Sequence, residues 1–261
     1  MDRVLVDIND GVADVRLNRP DKRNALDMAM FDAIIDAAEA LKVDPAVRAV
    51  VLSGVGASFC AGLDMSIFSS MAGDVPGERP APGRGLTDVA PGTITHRAQQ
   101  AVHAWREVPA PVIAALHGHA LGGGLQIAVA ADIRFCHPAT QLSVLEIRWG
   151  LVPDMTVLQY LPALVGLDRA KELTYTGRII SGADASAMGL VTHLSDAPHT
   201  AALALAAEIA GKSPDAVRAA KRLLDAAGHV SIADGFAAER REIDAIIGSP
   251  NQTEAVRAWF E

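Results

Sequence analysis

The sequence predicts an α/β fold with a helical C-terminal region, and three observations carry that prediction. Residues 4–8 and 12–17 alternate apolar and polar side chains on either side of Asn9-Asp10-Gly11, which is a hairpin signal. The stretch PVIAALHGHALGGGLQIAVAADIRF (111–135) runs from a β-type segment through Gly118 and the triplet Gly122-Gly123-Gly124 into an alanine-rich segment with helical spacing. Beyond residue 155 the chain reads as helix almost throughout. The expected division is a core over 1–195 and a helical region over 196–261, which packs either on its own core or on a neighbouring subunit.

Each element follows from its local pattern. Asn18-Arg19-Pro20 ends the second strand, and Leu26, Met30, Ile34, Ala38 and Leu41 recur at helical spacing over 26–41. Residues 49–52 form a short apolar strand that runs into Ser53-Gly54-Val55-Gly56. Residues 66–92 are rich in Gly and Pro with little periodicity, and a connection of that length is expected to be mobile or irregular. Helical spacing resumes over 93–106. A short strand is expected at 141–144, an irregular turn at 145–154, and helices at 155–164 and 168–176 about Gly166. Ser181 with Asp184 and Ser249 with Gln252 have capping-box spacing, Pro214 follows Ser213 as a first helical residue, and Gly211 and Gly248 are expected helix stops.

Composition narrows the class. Half of the 261 residues are hydrophobic but only 4% aromatic, so Ala, Val, Leu and Ile must build the core. A net charge of −8 leaves no basic footprint for nucleic acid. Cys60 and Cys136 read as buried thiols in a reducing compartment. Asp2, Asp7 and Asp10 interrupt any apolar leader, so a cytoplasmic protein is expected. No charged residue lies between Glu107 and Asp132, yet Pro109, Pro111 and four glycines argue against a membrane span there.

The glycine turns lack residues that the nucleotide-binding motifs require. Gly118 and Gly123 have P-loop spacing, but Gly124 and Leu125 stand where Lys and Ser/Thr are needed. Gly54 and Gly56 begin a dinucleotide turn that Phe59 breaks at its third glycine. A helix start behind glycines still offers free backbone N–H groups to an oxygen that gains negative charge. A purely structural strand–helix unit is the alternative on these residues alone.

NRPDKRNAL (18–26), GASFCAGLDM (56–65), the glycine triplet and SGADASAMGLV (181–191) together resemble the crotonase, or enoyl-CoA hydratase/isomerase, family, in its order and over essentially the whole chain. The resemblance implies a spiral of repeated ββα units with a C-terminal helical region, assembly as a homotrimer or hexamer, and an acyl-CoA substrate. It implies no cofactor beyond the coenzyme A of the substrate. By the same resemblance, the amides of Leu63 and Gly123 form an oxyanion hole. One such donor is worth about 3–4 kcal/mol in well-studied hydrolases. Leu63 stands where the family usually has alanine.

The family's hydratases carry two glutamates, at the positions of Gln126 and Glu146. Gln126 carries no proton at neutral pH, although it can bind substrate or water. That departure favours double-bond isomerisation, for which the single carboxylate of Glu146 suffices, over hydration of a 2-enoyl-CoA. Asp154 matches a catalytic aspartate of the family's dienoyl-CoA isomerases, which also have an aspartate in place of Gln126. Asp154 equally reads as the cap of the following helix. Lys22 and Arg23 are expected near the CoA phosphates, or as a solvated pair, and Ala61, Asp64, Met65 and Ser66 along the thioester site. His117 and His119 read as structural, and no metal site is expected. An acyl-CoA-binding protein without catalysis is the reading from another class.

Overall fold

The computed structural model describes residues 2–67, 86–89 and 93–260. Its strands are β1 (Val4–Asn9), β2 (Val12–Leu17), β3 (Ala49–Gly54), β4 (Val112–Leu116), β5 (His119–Leu121), β6 (Ile133–Cys136), β7 (Gln141–Ser143), β8 (Ile180–Ser181) and β9 (His193–Leu194). Its helices are α1 (Met28–Val43), α2 (Arg97–Glu107), α3 (Gly123–Ala130), α4 (Val157–Val165), α5 (Leu167–Thr176), α6 (Gly182–Ala187), α7 (Pro198–Ala210), α8 (Pro214–Ala226), α9 (Ile232–Ile246) and α10 (Pro250–Phe260).

The hairpin forms as its alternation predicts. β1 and β2 pair antiparallel, and Asp10 and Gly11 take φ of 49° and 82°, the two-residue turn whose twist matches paired strands. From β2 onward the main sheet is parallel, in the order β1-β2-β3-β4-β6-β9. Parallel strands are buried on both faces, and the side-chain alternation shows it. Val50, Leu52, Val112, Ala114 and Leu116 face the large core under α1, α2 and α3. Ala49, Val51, Ile113 and Ala115 face Ala202, Ala206 and Ala210 of α7 on the other side.

A second sheet of three strands, β5-β7-β8, runs beside the first. Its β7 is the short strand expected at 141–144, whereas β5 and β8, and β6 and β9 of the main sheet, have no counterpart in the sequence reading. The expected connection over 66–92 lies mostly outside the described residues. The expected helix at 26–41 starts later, with Asp27 as its N-cap accepting from the Met30 amide at 2.8 Å. Leu26 is withdrawn because its backbone serves a loop: its N–H donates to the Gly62 carbonyl, and its carbonyl accepts from Asp64. The Ser181–Asp184 capping box is complete. Ser249 accepts from the Gln252 amide, while the Gln252 side chain turns to the Gly248 amide. The helices α9 and α10 bury no residue in this chain.

Candidate active site

Two glycine-rich loops meet because their backbones pair. Cys60 and Ala120 form an isolated parallel bridge, with the Cys60 amide donating to His119 at 2.9 Å and the Leu121 amide to Cys60 at 3.1 Å. Gly124 lets this contact close, since a Cβ there would lie 2.3 Å from the Cys60 carbonyl oxygen. Beyond the bridge, Leu63 follows Gly62, and Gly123 opens α3. Neither the Leu63 nor the Gly123 amide has a backbone acceptor among the described residues. Both residues line one cavity of about 410 Å³, together with Phe31, Leu86, Leu145 and Trp149. The lining is mostly apolar, and free amides in such surroundings are strong donors to a charged oxygen.

Glu146 lies in the wall of the same cavity, at the start of a 3₁₀ turn over Glu146–Trp149. Its Oε1 accepts from Gln126 Nε2 at 2.7 Å, and its Oε2 is buried without a hydrogen-bond partner among the described residues. Burial pushes the Glu146 carboxyl above the usual carboxylate range and nearby Asp154 adds to the rise, while hydrogen bonds from its own backbone and from Gln126 oppose it. A rise of this sign suits a carboxyl to taking and returning a proton. Gln126 does not line the cavity. It is 1% exposed, behind Glu146, and its Oε1 accepts from the Met155 and Val157 amides at 3.0 and 3.3 Å.

Asp154 lines the cavity too. It is not the helix cap that its position offers: α4 starts at Val157, and its N-cap residue is Thr156, in the left-handed region at φ 80°. A helix end two residues further on leaves the Asp154 side chain free of that duty. It faces His96 instead, with Nε2 4.0 Å from Oδ2. His96 in turn caps α2 through Nδ1, which accepts from the Gln99 amide. Its ring proton therefore sits on Nε2 when the imidazole is neutral. No sequence signal marked His96, because histidine is not among the favoured N-cap residues.

The remaining expected site residues divide by position. Ala61 and Met65 line the cavity, and the Ala61 amide donates to the Arg23 carbonyl at 2.9 Å. Lys22 and Arg23 have exposed side chains at this edge. Asp64 and Ser66 do not line the cavity but brace it. Asp64 accepts from the Ser66 amide and hydroxyl at 2.8 and 2.7 Å and pairs with Arg19, and these bonds, the Ser66 amide first, draw its carboxyl down to about 2. A carboxyl lowered by folding stabilises the fold above its unfolded value near 3.8, and that contribution is lost as pH falls through about 2. Asp64→Asn is accordingly expected to lower the unfolding temperature at pH 7, with the difference shrinking as the pH of the melts falls from 4 to 2.

Asn24 is a support that the sequence reading missed. It is fully buried at φ 57°, and its Nδ2 donates to the Val55, Ser58 and Phe59 carbonyls, which fixes the loop before Cys60. The tolerance of asparagine for the left-handed region was the available signal. His119 bonds Ser58, and His117 bonds the Gly56 carbonyl. Cys60 and Cys136 are free and buried, with thiols pushed up to about 12 and about 11 by burial. Among the described residues, no cluster of His, Cys, Asp or Glu could hold a metal ion, and no helix is long and apolar enough to cross a membrane.

Two amide-bearing loops and a buried carboxyl share one mostly apolar cavity, an arrangement that can stabilise an oxyanion beside a proton carrier. The chain belongs to the crotonase family: the family model described as enoyl-CoA hydratase/isomerase matches residues 7–261. It is 34% identical, over 266 aligned positions, to the mouse (Mus musculus) enoyl-CoA hydratase domain-containing protein 2, mitochondrial, covering 99% of this chain and 85% of that protein. It is 33% identical to the peroxisomal Delta(3,5)-Delta(2,4)-dienoyl-CoA isomerase of Arabidopsis thaliana, covering 93% and 87%. The crystal structure of an enoyl-CoA hydratase from Bacillus anthracis superposes with a TM-score of 0.87 at 28% identity, covering 98% and 95%. The α/β fold is thus the crotonase fold, with its helical C-terminal region.

Proposed function

We propose that the chain is a double-bond isomerase of enoyl-CoA or dienoyl-CoA thioesters. The observation that carries this reading is the pairing of carboxylates: Glu146 and Asp154 share the cavity, while the position behind Glu146 holds a neutral, fully engaged Gln126. Ionised Glu146 takes the proton from the carbon next to the thioester carbonyl. The electron pair moves onto the thioester oxygen, where the Leu63 and Gly123 amides meet the charge. For a 3-enoyl-CoA, Glu146 returns the same proton two carbons further on. For a 3,5-dienoyl-CoA the conjugated anion extends to the far end of the chain, where the Asp154 carboxyl supplies a proton, and the proton left on Glu146 passes back to Asp154 through solvent after turnover. One proton enters and one leaves in each case, so the reaction is balanced without a redox partner, and coenzyme A enters only as part of the substrate.

Lys22 and Arg23 would meet the CoA phosphates at the exposed edge. The trimeric or hexameric assembly and the cytoplasmic location expected from the sequence belong to the same proposal, and light scattering of the purified protein tests the first. Hydration is the second reading, favoured by the names of the hydratases to which the chain is similar. Product mass separates them. Isomerisation leaves the mass of a 3-enoyl- or 3,5-dienoyl-CoA unchanged, whereas hydration of a 2-enoyl-CoA adds one water. Turnover of the 2-enoyl substrate at a typical enzymatic rate of about 1–1000 per second, with no isomerisation, would overturn the proposal. No turnover of any panel member would favour a binding protein.

Asp154→Asn divides the isomerase reading further. Asparagine keeps the shape but moves no proton, so turnover of the dienoyl substrate is expected to fall about 10²–10⁴-fold. Turnover of a 3-enoyl substrate should change little, because Glu146 alone serves it. Full activity on both substrates would remove Asp154 from the mechanism.

A further inference from the structure

We propose that Gln126 is a positioning residue, which locks Glu146 and Asp154 into one mutual geometry without touching the substrate. The inference rests on the isomerase reading for the role of Asp154, but not for its main observable.

The bonds of Gln126 leave its amide only one orientation. Its Oε1 receives two backbone N–H groups, from Met155 and Val157, so Nε2 must face Glu146. The reverse flip would set an NH₂ group against two N–H donors. Between those two amides stands Thr156, a β-branched residue at φ 80°, where such residues are outliers. The Thr156 hydroxyl is itself buried without a hydrogen-bond partner among the described residues, so it does not tie the turn down. The carbonyl of Gln126 holds both shoulders of that strained turn, and Asp154 lies directly before it. The same side chain thus grips the carboxylate of Glu146 at one end and the backbone behind Asp154 at the other.

Only glutamine does both here. Methionine has a similar length but neither donor nor acceptor. Glutamate keeps the acceptor for the two amides, yet sets a second carboxyl against Oε1 of Glu146. Among the described residues the ionisable side chain that acts on Glu146 is Asp154, in the same cavity, and Asp154 in turn faces His96 of α2. Since the Gln126 bond helps the Glu146 and Leu145 backbone to hold the Glu146 carboxyl down, its loss leaves burial and Asp154 less opposed.

The test is an infrared pH titration of the Glu146 carboxyl, with Glu146→Gln as the baseline, on the wild type, Gln126→Met and Gln126→Glu. The midpoint is expected to move to higher pH in Gln126→Met. In Gln126→Glu it should split into two steps of a shared proton. In steady-state kinetics on whichever enoyl-CoA is turned over, Gln126→Met is expected to lower kcat about a hundredfold, with KM within about twofold. An unmoved midpoint in a folded Gln126→Met, or a risen KM at constant kcat as for a substrate contact, would overturn the proposal. If Gln126→Met fails to fold, Gln126→Glu decides, and an unsplit, unshifted titration overturns it. Because the titration needs no turnover, a wild type that proves to hydrate would sink the isomerase reading and leave this one standing.

Discussion

Glu146→Gln is expected to lower kcat about 10²–10⁴-fold, the range that a single proton carrier contributes, on every enoyl-CoA that the wild type converts. Acyl-CoA binding should persist, since both amide donors and the cavity wall remain. The same variant should melt at a higher temperature than the wild type at neutral pH. The sign follows from burial. The Glu146 carboxyl is raised in the fold above its ordinary 4.5, so its contribution to stability is fully present below that value and lost as pH rises through the folded one. Glutamine does not ionise and escapes the loss. The gap in melting temperature should therefore widen from pH 4 to pH 8. A variant that keeps activity, or that melts below the wild type across this range, would count against Glu146 as a buried proton carrier.

Gly62→Ala is expected to lower kcat/KM about 10²–10³-fold, comparable to the removal of an oxyanion donor. Gly62 sits at φ 90°, where alanine is strained, and its added Cβ would lie 2.6 Å from the Leu121 carbonyl oxygen. That Cβ would also stand 3.8 Å from the Gly123 nitrogen, so relief of the clash must move one amide relative to the other. Gly235→Ala is the matched control. Its Cβ would meet only Val230 Cγ2, at 4.0 Å, in α9 far along the chain from the site. Loss of less than about threefold in Gly62→Ala, at unchanged folding by circular dichroism, would show that the paired amides are not what the chemistry uses.

What could be read in advance follows from how local each signal is. The hairpin, α1, β3, β4 and the start of α3 rest on periodicity and turn residues within one segment, and they form where their patterns lie. Apart from β7, which its own segment marks, the strands β5, β6, β8 and β9 are two to four residues long and held by partners far away in the chain. No window of sequence contains those partners. The same holds within the site. Leu63, Gly123, Glu146 and Asp154 could be named from motif order, and the structure brings all four to one cavity. The bond between Gln126 and Glu146 could not be named, because it depends on which way an amide faces once α3 and the 3₁₀ turn are packed. The misplaced cap at Asp154 has a similar cause. The helix signal in 155–164 was sound, but Gln126 ties up the first amides of that run and delays the helix to Val157.

The bridge between Cys60 and Ala120 has a consequence for how such a protein changes over generations. In the proposed mechanism the charge-receiving groups it brings together belong to the main chain, and most side-chain replacements leave a main-chain N–H in place. The proposed proton carriers and their support are, by contrast, single side chains at 146, 154 and 126, each open to exchange by one mutation. A lineage can therefore inherit the capacity to form an enolate almost unaltered while it tries out different fates for that enolate. Ancestral and hybrid sequences with the two loops intact should accordingly drift among products more readily than they lose reactivity altogether.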